Sequence, residues 1–218
     1  MKYIKTCLKS NRYKCVIMMP VFLDLKGFNV LIFGFGNVGK RRFEKFLKSN
    51  AKLTVYSEKI EKEDILNYPK VKFFEENVNN LSNEELYSII KNFDIIITAV
   101  DKKNNNRIVE IATYLKKYIN SSTFEDKVNL VVPACFEENG VSFAIYTGGK
   151  SPIVAREVRK VVQNYLKNSE DNIEIQDKLR NFLKDEIKDQ ELRKKILEKV
   201  FSNKQFKLEF LELIEKHR

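Results

Sequence analysis

The chain has 218 residues, with 40 Lys+Arg against 30 Asp+Glu and a hydrophobic fraction of 43%. That is enough apolar material for a packed core, and it excludes wholesale disorder. No stretch approaches the ~18 uninterrupted apolar residues of a membrane span, and one histidine, His217, argues against a histidine triad or a poly-histidine metal site.

Residues 1–17 carry five bases and no acid, and residues 169–218 hold 12 of each. The surplus left for residues 18–168 is moderate, so neither a nucleic-acid partner nor a membrane partner is expected. Cys7, Cys15 and Cys135 have no CxxC spacing. They suggest thiols in a reducing cytoplasm, with no metal site and no disulfide framework. Lys14 interrupts the apolar residues near Cys15, so no secretory signal is expected. Met18 and Met19 stand just before the first recognisable unit. Residues 1–17 then read either as an extension ahead of the true translation start or as a basic arm for an anionic partner.

Phe28–Phe33 is an apolar run between two glycines and reads as a buried strand. Asn37–Lys48 has helical spacing. Leu53–Tyr56 and Val71–Phe74 read as strands, Asn83–Asn92 as a helix, Asp94–Val100 as a buried strand and Asn104–Tyr118 as a helix. Continuous apolar strands alternating with helices predict an α/β fold, a Rossmann-type doubly wound parallel sheet. Asn129–Val132 and Val141–Tyr146 then read as strands. Ser151 and Pro152 open a helix to about Leu166 as N-cap and first residue. Ser169–Asp171 reads as a linker. Beyond it, three stripes begin at Ile175, Leu192 and Phe206 and predict a helical module. The expected segments are a basic extension over 1–17, a Rossmann domain over 18–119, a small α+β segment over 120–168, and a helical module over 169–218.

Five of the seven glycines lie in two motifs. Gly34-Phe-Gly-Asn-Val-Gly39 follows a strand and opens a helix, the context a dinucleotide fingerprint requires. Gly34 serves the tight turn, Gly36 the approach of a pyrophosphate, and Gly39 the packing of helix on strand. Glu58 ends the second strand 19 residues past Gly39, which favours NAD; Ser57 and Lys59 leave NADP open. The second motif is Tyr146-Thr-Gly-Gly-Lys-Ser-Pro152. Thr147, Gly148, Gly149, Lys150 and Ser151 form a candidate anion site beside a helix start, with Arg156, Arg159 and Lys160 a turn further on.

With both motifs placed, the chain resembles the precorrin-2 dehydrogenase family, the NAD-dependent domain of siroheme synthases. The shared parts are Pro20-Val-Phe-Leu-Asp-Leu-Lys-Gly27, the fingerprint at 34–39, Thr98-Ala-Val-Asp101 with Asn106, then Asn120, Pro133-Ala134, and 147–152 with Ala155-Arg156. The resemblance implies NAD-dependent oxidation of precorrin-2, a tetrapyrrole with eight carboxylates, to sirohydrochlorin. It also implies a homodimer pairing through the segment after the Rossmann sheet. Asn37, Val38, Glu58 and Lys59 fall at cofactor-contacting positions, and Thr98, Val100 and Asp101 at the carboxyl edge of the sheet.

One position departs from the family. The family's acid follows the Asn at 120 by three residues, and that position here is Thr123. Either Asp126 or Glu125 enters the site by a small shift, with Asp101 another candidate base, or no acid acts there and the proton goes to water or a substrate carboxylate. Some members of the family also chelate iron; with the acid displaced and no histidine in the body of the chain, dehydrogenase activity alone is expected. The competing reading is an NAD-sensing regulatory protein without catalysis.

Overall fold

A computed structural model describes residues 18–123, 127–168 and 173–216. The 1–17 extension, Glu125, Asp126 and the 169–171 linker lie outside the described residues. The chain divides into two compact units, one ending at Val131 and the other beginning at Val132.

The first unit is built on β1 (Asn29–Phe33), β2 (Lys52–Ser57), β3 (Lys72–Glu75), β4 (Ile95–Thr98) and β5 (Tyr118–Ser121). They form one parallel sheet in the order β3-β2-β1-β4-β5. Val30 lies opposite Leu53 and Ile95, and Phe33 between Tyr56 and Thr98. β4 is buried along its whole length because helices cover both faces, which is why its sequence is apolar without alternation.

The helices of this unit are α1 (Asn37–Leu47), α2 (Lys62–Asn67), α3 (Asn83–Ile90) and α4 (Lys102–Tyr114). α1 buries Phe43 and Phe46, and the Phe43 ring meets Phe35 at 5.1 Å and Tyr68 at 4.9 Å. A core cluster joins Leu31, Phe33, Ile96 and Ile119 of the sheet to Leu86 and Ile90 of α3 and Ile108 and Ala112 of α4. Each such large side chain contributes about 1.5–3 kcal/mol by leaving water. A capping box between Ser82 and Glu85 starts α3. The chain leaves β1 toward β2 and returns to β4 on its other side, so a topological switch point lies at the carboxyl end of β1, where open sheets take ligands.

Two expected elements differ. The helix expected to reach Tyr118 ends at Tyr114, because Lys116 takes a left-handed φ of 54°. Tyr118–Ser121 then pairs with β4 as the fifth strand. No strand covers 129–132. Instead, the Asn129 side chain accepts from the Ile119 amide at 2.7 Å and donates to the Lys117 carbonyl at 3.0 Å. That side-chain amide stands in for a strand residue along the edge of β5.

In the second unit β6 (Ala134–Glu138) and β7 (Val141–Ile145) form an antiparallel hairpin. Asn139 and Gly140 turn it with φ of 49° and 75°, the positive pair a tight hairpin turn demands. α5 (Pro152–Asn168) packs on the hairpin and buries Ala155, and its Gln163 bonds Glu138 at 3.1 Å. α6 (Ile173–Glu186), α7 (Gln190–Ser202) and α8 (Lys204–Lys216) form the helical module, burying Leu179, Leu183 and Val200. Among the described residues, no helix is long and apolar enough to cross a membrane.

Candidate functional site

The turn after β1 explains its glycines one by one. Gly34 has φ of 90°, and a Cβ there would stand 2.5 Å from the Ala99 carbonyl oxygen. A Cβ on Gly39 would stand 1.9 Å from the Gly34 oxygen, so α1 starts in backbone contact with the turn. Gly36 is different. Nothing lies within 4 Å of where its Cβ would be. It is the N-cap of α1, with no side-chain cap and no acid in the first turn. The opening N–H groups of a helix have no partner within it, and they carry positive potential. Open space in front of uncapped N–H donors fits the pyrophosphate of a dinucleotide.

A cleft of about 290 Å³ opens over this turn, lined by Gly34, Gly36, Glu58, Val100, Asp101 and residues of the Asn77–Asn79 turn. Ser57, at the end of β2, accepts the Phe35 amide on its hydroxyl at 3.2 Å and so fixes the floor. Glu58 and Lys59 follow it, both exposed. Asn37 and Val38 are exposed at the start of α1. Gly34, Gly39 and Thr98 are buried among the expected cofactor residues, and the Thr98 side chain turns inward, its hydroxyl donating to Asn105 Oδ1.

Asp101 lines the cleft as the N-cap of α4. Its Oδ2 accepts from Asn104 Nδ2 at 2.6 Å and its Oδ1 from the Asn104 amide at 3.1 Å. The bonds from Asn104 hold the Asp101 carboxyl below the usual carboxylate range. Such a group caps a helix well and takes up protons poorly. Thr123 bonds Ser121 Oγ at 3.1 Å and places a hydroxyl just past the end of β5. Asp126 lies outside the described residues.

The second unit holds the other motif. Gly148 and Gly149 have φ of 67° and 74°, which turns the chain between Thr147 and Ser151. Thr147 Oγ1 accepts the Ser151 amide at 3.3 Å, and Ser151 Oγ accepts the Val154 amide at 3.2 Å. Ser151 thus caps α5, with Pro152 at its first position, as the sequence predicts. Lys150 is exposed. Glu157 sits between Arg156 at 3.2 Å and Lys160 at 3.3 Å, and these two bonds hold its carboxyl below the usual range. The expected basic face is therefore partly neutralised by its own helix.

Three residues that the motifs do not mark, Asn79, Asn105 and Arg42, matter here. Asn79 accepts from Asn104 at 2.9 Å at the cleft wall. Asn105 bonds the ends of β4 and β5. Arg42, on α1, donates to the carbonyls of Thr98 at 3.3 Å and Ser121 at 2.8 Å. Burial lowers the Arg42 pKa. One signal was available in the sequence: the run Asn104-Asn105-Asn106 inside a helix goes against propensity, and such residues usually bond to something specific.

The same regions are matched in known proteins. Residues 21–134 match a family model described as "Putative NAD(P)-binding". The chain is 42% identical to the "Putative precorrin-2 dehydrogenase" of Methanocaldococcus jannaschii, over 91% of this chain and 97% of that one. It is 28% identical to the "Precorrin-2 dehydrogenase" of Methanosarcina barkeri, over 95% of this chain and 91% of the other. The solved structure titled "SirC, precorrin-2 dehydrogenase" shares the fold, with a TM-score of 0.62 at 22% identity, over 91% of this chain and 100% of that chain.

Proposed function

We propose that this chain, which belongs to the precorrin-2 dehydrogenase family, oxidises precorrin-2 to sirohydrochlorin. Bound NAD+ supplies the chemistry by accepting one hydride. The observation that carries the reading is the pair of contrasting glycines: Gly39 is closed off by the Gly34 carbonyl, while Gly36 faces open space under uncapped N–H groups.

Each group then has a task. The backbone of Gly36, Asn37, Val38 and Gly39 binds the pyrophosphate. Glu58 accepts from the adenosine ribose hydroxyls and disfavours a 2′-phosphate, which selects NAD over NADP. Val100 and Asp101 border the path toward the nicotinamide. Thr147–Ser151, with Lys150 and Arg156, receives substrate carboxylates on N–H groups, hydroxyls and charge. The oxidation releases one proton with each hydride, and Thr123 cannot hold it. It goes to Asp126 or Glu125, to water, or to a carboxylate of the substrate itself.

The working form of this reading is a homodimer. On α5 the side chains of Ile153, Val154, Val158, Val161 and Tyr165 form an exposed apolar stripe, with Tyr165 67% exposed. A second copy that covers the stripe removes this surface from water. Light scattering tests the dimer: twice the chain mass supports it, and a monomer at micromolar concentration removes it.

Anaerobic incubation with precorrin-2 and NAD+, without metal, tests the reaction. Protein-dependent appearance of sirohydrochlorin is the expected result. Binding of NAD+ with no turnover overturns it and leaves the regulatory reading, which the threonine at 123 favours.

A further inference from the structure

We propose that Asn105 is a positioning residue for hydride transfer, holding the loop after β4 against the loop after β5. The proposal rests on the dehydrogenase reading. The Asn105 side chain is fully buried. Its Oδ1 accepts from the Thr98 hydroxyl and from the Val100 amide at 3.1 Å. Its Nδ2 donates to the Val100 carbonyl at 3.1 Å and faces Ser122 Oγ at 3.0 Å and Thr123 Oγ1 at 3.5 Å.

All four partner residues lie at the carboxyl ends of two neighbouring strands. β4 and β5 are already joined by their ladder, whose last register pair is Thr98 and Ser121. Val100 and Thr123 lie beyond that pair, and Ser122 follows it with its amide on the Thr98 carbonyl at 2.8 Å. Fixing the sheet itself needs no side-chain bonds there. Those residues stand at the edge where an open parallel sheet takes its ligands. Arg42 ties the same two strands one step earlier, through the carbonyls of Thr98 and Ser121. Asn105 acts through Val100 and Thr123 and touches no reacting atom. Small displacements of a reacting pair cost rate steeply, so this tie sets the distance between the nicotinamide and the substrate.

The test uses the full chain as wild type, Asn105→Asp and Ser122→Ala. Asn105→Asp keeps the shape and the bond from Thr98 but loses the N–H donors to Val100, Ser122 and Thr123. Ser122→Ala removes one partner at an exposed residue. For Asn105→Asp, kcat with precorrin-2 falls roughly tenfold or more while KM stays within about threefold. The emission enhancement of bound NADH, which reports an immobilised nicotinamide, drops by about half or more. The Kd of ADP-ribose, the other half of the cofactor, stays within about twofold. Ser122→Ala lowers kcat about threefold with an unchanged melting temperature.

A folded Asn105→Asp with unchanged kcat and NADH emission overturns the proposal. So does a loss of ADP-ribose binding equal to the loss of kcat. If Asn105→Asp does not fold, Ser122→Ala decides alone, and unchanged kcat there overturns it. If the wild type forms no sirohydrochlorin, the dehydrogenase reading fails. The NADH emission of the variants then still decides whether Asn105 positions the nicotinamide.

Discussion

Gly39 meets the carbonyl of Gly34 so closely that a Cβ on Gly39 would stand 1.9 Å from that oxygen. The neighbour is backbone and cannot swing aside, so Gly39→Ala must push α1 off the turn. A loss of about 1–3 kcal/mol in stability is expected, with NAD binding lost alongside it. Gly36→Ala has no protein atom to meet. It keeps stability within about 0.5 kcal/mol but weakens NAD+ binding, because the methyl enters the pyrophosphate space. Thermal melts and cofactor titrations of the two variants check the contrast. Equal melting losses would contradict it.

Asp101 and Asn104 give a pH-dependent prediction. Asn104 holds the Asp101 carboxyl below its usual range. A group with a lowered pKa in the folded state adds stability above its unfolded value of about 3.9, and that contribution is lost as pH falls through the folded value. Asp101→Asn keeps a capping side chain and loses the charge. At neutral pH it costs less than about 1 kcal/mol, since the site is exposed. The gap to wild type closes in acid, as pH falls through the lowered folded-state value. Urea melts at both pH values measure it, and a gap that widens in acid would reverse the assignment.

Glu58 sets the cofactor preference in this account. Glu58→Gln weakens NADH binding about tenfold, the scale of one charge-assisted hydrogen bond. It leaves NADPH binding equal or stronger. Fluorescence titration with both nucleotides reads the ratio. An unchanged ratio would remove Glu58 from the ribose site.

Lys150 offers charge to a polycarboxylate. Lys150→Glu raises KM for precorrin-2 about fivefold at low salt, and the difference shrinks as salt screens it. NADH binding does not change. A KM that ignores both the substitution and the salt would take the Thr147–Ser151 turn out of substrate binding.

The two glycine motifs were legible because they record backbone requirements. The left-handed φ of Gly34 and the contact at Gly39 admit little else, and the chain spends few glycines elsewhere. β1 and β4 were legible because both faces are covered. β5 was not: Ile111, Leu115 and Ile119 continue one helical spacing, and only the left-handed Lys116 breaks it. The edge beside β5 escaped because Asn129 supplies by side chain what a strand supplies by backbone. Asp101 read as a candidate base because its partner Asn104 carries no charge to betray the cap. Asn105 and Arg42 were hidden for a related reason. Their partners are largely carbonyls and hydroxyls brought near by the crossovers, from 5 to 79 positions away.

The most direct test of the account is the stoichiometry of one anaerobic reaction. Purified protein, enzymatically generated precorrin-2 and NAD+ are mixed without metal, and NADH and sirohydrochlorin are followed by absorbance. Equal amounts of both are expected, in proportion to protein and absent without it. Tight NAD+ binding with neither product formed, and none with NADP+, would contradict it and make this a nucleotide-binding fold without that chemistry.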